Sequence, residues 1–227
     1  MSSRATDSGR RAGSIPVFIE AGSRRVFASA LDWPGWARSA KTEELALEAL
    51  ADYLPRYARI VDRVRLEPPD GELVVVERHP RVAKNADFGS LGEIASSERE
   101  PLTADVGLQL AKLLAASWVA FEETVAGAPA QLRKGPRGGG RDTDQIVAHV
   151  TGAEVTYARK MGLQRDKTAG SEADATARLR EQIVGALQAP DELVTPEKGW
   201  PPRYAARRMA WHVLDHLWEI EDKSGPG

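Results

Sequence analysis

Beyond residue 102 the apolar residues recur only at helical spacing, and this commits the second half of the chain to packed helices. Thr103–Gly127 carries Val106, Leu110, Leu113, Leu114, Ser117, Trp118, Phe121 and Val125 on one stripe. Asp142–Gly162 opens on an N-cap aspartate with Gln145 three residues later, and its stripe is Ile146, His149, Val150, Ala153 and Tyr157. Ser171–Ala189 starts Ser-x-x-Asp and carries Leu179, Ile183 and Leu187, and Pro202–Lys223 follows a Trp-Pro-Pro break. Four such helices predict a four-helix bundle over residues 102–223, with 135–140 as an exposed glycine-rich loop.

The front of the chain has the shorter period of strands. Ile15–Glu20 and Arg25–Leu31 flank Ala21-Gly22-Ser23, a hairpin signal. A turn with two tryptophans follows, Asp32-Trp33-Pro34-Gly35-Trp36, and the pair is expected partly buried between the two halves or within the front unit. Thr42–Val64 reads as a helix broken near Tyr53 by Pro55, and Glu72–Arg78 as a third strand. The prediction is a ββαβ unit, class α+β, over residues 15–79. Residues 1–14 read as a disordered tail and 80–101 as a linker.

Composition narrows the function. Lys and Arg number 31 against 33 Asp and Glu, so the basic excess usual in a nucleic-acid binder is missing. There is no cysteine, which excludes disulfides, thiolate metal sites and a cysteine nucleophile. The first residues, MSSRATDSGRRAG, lack the apolar region of a secretory signal, and no run resembles a membrane span. A cytoplasmic protein without membrane or nucleic-acid partners is expected.

Three of the four histidines lie in the helical half. His212 and His216, four apart, project from one face of the last helix, and His149 lies on the apolar stripe of the second. Inward helix faces could bring them together, and neutral imidazoles are good ligands for zinc, nickel, copper or iron. Glu219 shares the face of His216 and reads as a fourth ligand, an acceptor for one imidazole, or a solvated acid beside Glu221 and Asp222. Asp215 and Glu154 could also accept a ring N–H. Arg208 and Arg207 precede His212 and could hold a substrate carboxylate, or form a solvated cationic face. His79, beside Pro80 in the front unit, is expected to take no part.

The segments AWHVLDHLWEIED and RDTDQIVAHVTGAEVTYARKMG resemble the DinB-like (YfiT-like) superfamily of metalloproteins. The resemblance covers roughly residues 102–223 and implies a four-helix bundle with a three-histidine metal site at His149, His212 and His216. It also implies thiol-dependent transferases and isomerases using mycothiol- or bacillithiol-like thiols, a small-molecule substrate, and a homodimer as an open possibility. The segment FIEAGSRRVFASALDWPGWARSAKTEELALEALADYLPRY resembles the HicB-like fold, although Trp36 stands where that family has a smaller residue.

Three readings share this site: a metal-dependent thiol transferase or isomerase with zinc or nickel, a metal-hydroxide hydrolase, and a non-catalytic module in which metal ties helices together. No catalytic residue is assigned by the sequence.

Overall fold

The computed structural model describes residues 13–135, 139–190, 193 and 195–225. The expected N-terminal tail lies almost wholly outside them, as does the centre of the expected 135–140 loop. A four-stranded mixed sheet opens the chain: β1 (Ser14–Ala21), β2 (Val26–Ala30), β3 (Ala37–Ala40) and β4 (Glu72–Arg78), in the order β3-β2-β1-β4. β1 and β2 form the hairpin around Gly22, with Val17 opposite Ala30. β4 returns parallel to β1 after two helices, α1 (Glu43–Asp52) and α2 (Leu54–Arg63).

The front unit therefore runs βββααβ rather than ββαβ. β3 is four residues, Ala-Arg-Ser-Ala, with no apolar run to announce it. Its pairing with β2 supplies the order that its side chains do not. The expected break falls at Tyr53, which closes α1 and opens α2, and Pro55 sits in the first turn of α2, where a missing N–H costs least. Thr42 caps α1 by accepting from the Leu45 N–H at 3.3 Å.

The tryptophan turn packs mainly inside the front unit. Trp36 is 1% exposed, donates its indole N–H to the Leu50 carbonyl at 2.8 Å and stacks on Tyr57 at 5.7 Å. Trp33 meets the edge of the same Tyr57 ring. The turn's close approach to the helical half is made at Gly35. Its φ is +95°, and a Cβ there would lie 2.6 Å from the Leu214 side chain.

Residues 80–101 are a packed strap, not a free linker. They contain a short helix, α3 (Lys84–Asp87), and a 3₁₀ turn at Ser96–Arg99. Ala83, Ala86 and Leu91 share a cluster with Phe27, Ala37 and Trp211. The Asp87 carboxylate accepts from the Ser23 and Arg24 N–H groups, closing the β1–β2 turn.

The remaining chain is mostly helical: α4 (Ala104–Gly127), α5 (Thr143–Lys160), α6 (Glu172–Gln188) and α7 (Pro202–Ser224). α4 packs on α6 and α7, and α5 packs on α7 and α6. α2 also lies on α4, and one apolar core runs from Ile15 and Val17 in β1 to Leu217 and Ile220 in α7. By length and mean hydropathy α4 alone among the described residues could cross a membrane, a match the sequence reading missed. Its Leu110, Leu113, Leu114, Trp118 and Phe121 are buried in this core.

Candidate metal centre

α7 is apolar nearly all round, from Met209 to Trp218, and so lies at the centre of the molecule with both its histidines enclosed. His212 is 7% and His216 8% exposed, while His149 on α5 is half-buried. The packing of α5 on α7 brings the three rings together, with centroids 4.7–4.9 Å apart. Each ring offers one nitrogen to a group whose atoms all lie within 4.8 Å of one another, a group that could hold a metal ion.

The donor set fits such an ion. The Nε2 atoms of His149 and His212 are 3.1 Å apart. Two nitrogens on a tetrahedral zinc with bonds of about 2.0–2.1 Å stand about 3.3 Å apart, so this pair has near-ligand spacing. His212 Nδ1 is buried with no partner, so this imidazole is enclosed without being held by the protein through its second nitrogen. Burial, then the charges of His216, His149, Arg208 and Arg141, push the His212 pKa down to about 2. Burial, then Arg141 and His216, lower that of His149. Both rings are therefore neutral at pH 7, the form that binds metal.

Glu219 sits behind His216. Its Oε2 is 2.7 Å from His216 Nδ1, and its other oxygen pairs with Lys223. The hydrogen bond to His216, then that to Lys223, holds the Glu219 carboxyl down at about 2. Of the roles open to Glu219, the geometry matches the acceptor that fixes one imidazole's tautomer and orientation. Asp215 pairs with Arg38 and Glu154 with Arg180, so neither orients a histidine. His79 lies against Glu93, apart from the group.

The two arginines divide. Arg207 is 1% exposed and fully engaged, donating to both Glu98 oxygens, to Glu20 and to the Glu93 carbonyl. The expectation that it holds a substrate carboxylate is corrected: Arg207 is buried, and its guanidinium is held by the Glu20 and Glu98 carboxylates and the Glu93 carbonyl. Arg208 differs. Its Nη2 donates to Ser90 Oγ at 2.7 Å, and its Cζ lies 4.9 Å over Trp211 and 5.4 Å over Tyr157. Its Nη1 is buried without a partner. Tyr157 in turn meets the His212 ring edge-on at 5.7 Å.

Sequence reasoning missed Arg141, Ser90 and Tyr157 beside the site, and the Glu20 and Glu98 partners of Arg207. Only Tyr157 gave a signal, two turns beyond His149 on the same stripe. A cavity of about 1450 Å³ lies between α4, α5 and α6, and none of the three histidines lines it.

No protein-family model matches the chain, and no curated protein or solved structure shows significant similarity to it.

Proposed function

We propose that this chain is a metal-dependent enzyme of DinB-like type, a transferase or isomerase that works with an external low-molecular-weight thiol. The observation that carries the reading is the convergence of His149, His212 and His216 while Glu219 is turned onto His216. Three imidazoles with no fourth protein ligand among the described residues correspond to a centre open to an exogenous ligand, the arrangement of catalytic rather than structural zinc sites. The mutual packing of α4 and α5 with α6 and α7 supports a four-helix bundle as the frame, and the front unit would be an accessory part.

His149, His212 and His216 would hold zinc or nickel, chosen over calcium or magnesium because the donors are imidazoles. Such an ion, when bound, acts as a Lewis acid and lowers the pKa of a thiol or water. The chain has no cysteine of its own, so a thiol at the centre comes from outside. Glu219 accepts from His216 Nδ1 and keeps its Nε2 lone pair directed at the centre. Arg208, braced by Ser90, Trp211 and Tyr157, offers its free Nη1 to an anionic group on the thiol or the electrophile.

The test has two stages. Tag-free protein analysed for bound elements should contain about one zinc or nickel per chain, fewer after His212→Ala. Electrophiles should then be turned over only with metal and a small thiol present. Turnover without thiol would favour a metal-hydroxide hydrolase. Full activity of a metal-free variant would end the reading.

A further inference from the structure

The second site is the cleft away from the histidines. Its walls run from Ala115 to Ala126 on α4, Thr143 to Val155 on α5 and Glu172 to Val184 on α6. Each stretch is about 16–18 Å, three helical turns or slightly more at 1.5 Å per residue. Dividing the 1450 Å³ by that length leaves a channel about 10–11 Å across. This is the diameter of an α-helix with its side chains, and far wider than an alkyl chain.

The walls are made to receive something apolar. Val119, Val147, Val155 and Val184 line the cleft, with Val119 48% exposed. Thr151 and Thr176 also line it, but each hydroxyl is already given to the carbonyl one turn back in its own helix, at 2.9 Å in both cases. Neither offers a donor to an occupant. At Gly152 an added Cβ would meet nothing within 4 Å.

The rim fixes the sign of the partner. Its two arginines are spent, Arg165 on Glu172 and Arg180 on Glu122 and Glu154. Asp144 and Glu181 line the cleft with no basic partner among the described residues. The surplus is negative. A second copy placed face to face would set one concavity against another and leave the space unfilled.

We propose that this cleft is a docking groove for a three-turn amphipathic helix of another protein, apolar on one face and basic along its flanks. The groove is independent of the metal centre and would be retained if the enzymatic reading failed.

Fluorescence anisotropy on the full chain tests this with a labelled 14-residue Leu/Lys peptide, its leucines at i, i+3, i+4 and i+7. The expected Kd is on the order of 10 µM, since three turns bury a small interface. A scrambled peptide and a Leu/Glu peptide should bind at least about tenfold more weakly. Gly152→Trp fills open space and should weaken the Leu/Lys peptide about tenfold with an unchanged thermal midpoint. Asp144→Lys with Glu181→Lys should weaken it as well and strengthen the Leu/Glu peptide. Equal binding of ordered and scrambled peptides overturns the proposal. So does displacement of the peptide by oleate or by anionic vesicles at lower concentration, or a dimer in solution that Gly152→Trp abolishes and the peptide does not.

Discussion

Two buried polar groups are built on the same helix, less than two turns apart, and they are finished differently. Around Arg207 the donors and acceptors are matched. Glu98 takes two of its bonds and the Ala95 N–H, while Glu20 takes a third and the N–H groups of Gly92 and Glu93. Around His212 atoms are left over: its own Nδ1 and Nη1 of Arg208 are buried with no partner. Leaving a buried polar group unpaired costs free energy, so a fold tolerates it mainly where a ligand completes the set. The matched group clasps β1, the strap and α7 together, and the unmatched one leaves polar atoms that a ligand would complete.

The largest effect should come from breaking the matched group. Arg207→Met leaves two carboxylates buried without their cation, a loss of about 3–5 kcal/mol. For a chain of this size that lowers the thermal midpoint by about 6–20 °C. Calorimetry showing a shift under about 2 °C would mean that the clasp contributes little.

The same substitution logic gives the opposite result at the other group. His212→Leu removes an imidazole whose Nδ1 has no partner and whose Nε2 meets only the half-buried His149, so metal-free stability should change by less than about 1 kcal/mol. What should disappear is the response to metal. At a hundredfold excess over Kd, zinc or nickel should stabilise the native chain by about 2.7 kcal/mol and the variant by almost nothing. Equal stabilisation of both would place the metal elsewhere.

The pH response sharpens the contrast. His212 has a folded-state pKa of about 2 against about 6.5 unfolded, so in between the unfolded chain binds more protons and stability rises with pH. The contribution of the neutral ring is complete above about 6.5 and is lost as pH falls towards 2. Between pH 6.5 and 4.5 metal-free native protein should lose up to about 1.4 kcal/mol per unit from this group. His212→Leu should show a shallower slope in denaturant titrations over that window; parallel slopes would exclude a buried neutral His212.

These two groups also mark what could be read from the residues alone. The metal candidates were visible because a helix advertises its faces: His212 and His216 are four apart, and His149 falls on an apolar stripe. The helical elements and the break at Tyr53 were legible for the same reason. The clasp was not. Its members are 20, 98 and 207, joined only by tertiary packing, and nothing local separates Arg207 from its neighbour Arg208. β3 stayed hidden because its pairing with β2, not its composition, makes it a strand. The strap read as a linker because its order comes from Ala83, Ala86 and Leu91 meeting Phe27 and Trp211, contacts no periodicity records.

The most specific effect should come from Arg208. It makes one side-chain hydrogen bond, to Ser90, and rests on two aromatic faces. Arg208→Ala should therefore cost about 1–2 kcal/mol, less than the loss at Arg207, and leave the metal content intact. Its function should appear in ligand choice. A buried guanidinium nitrogen with no partner can give a charge-assisted bond to a carboxylate, and removing one such bond costs about 1.5–3 kcal/mol. Metal-loaded Arg208→Ala should then bind a carboxylate-bearing thiol such as thioglycolate at least about tenfold more weakly than native protein. Neutral 2-mercaptoethanol should bind both equally, because it has no anion for the arginine to meet. If both thiols weaken together, Arg208 acts by packing against Trp211 and Tyr157. If neither changes, its free nitrogen faces no ligand, and the contrast between the two arginines is one of packing alone.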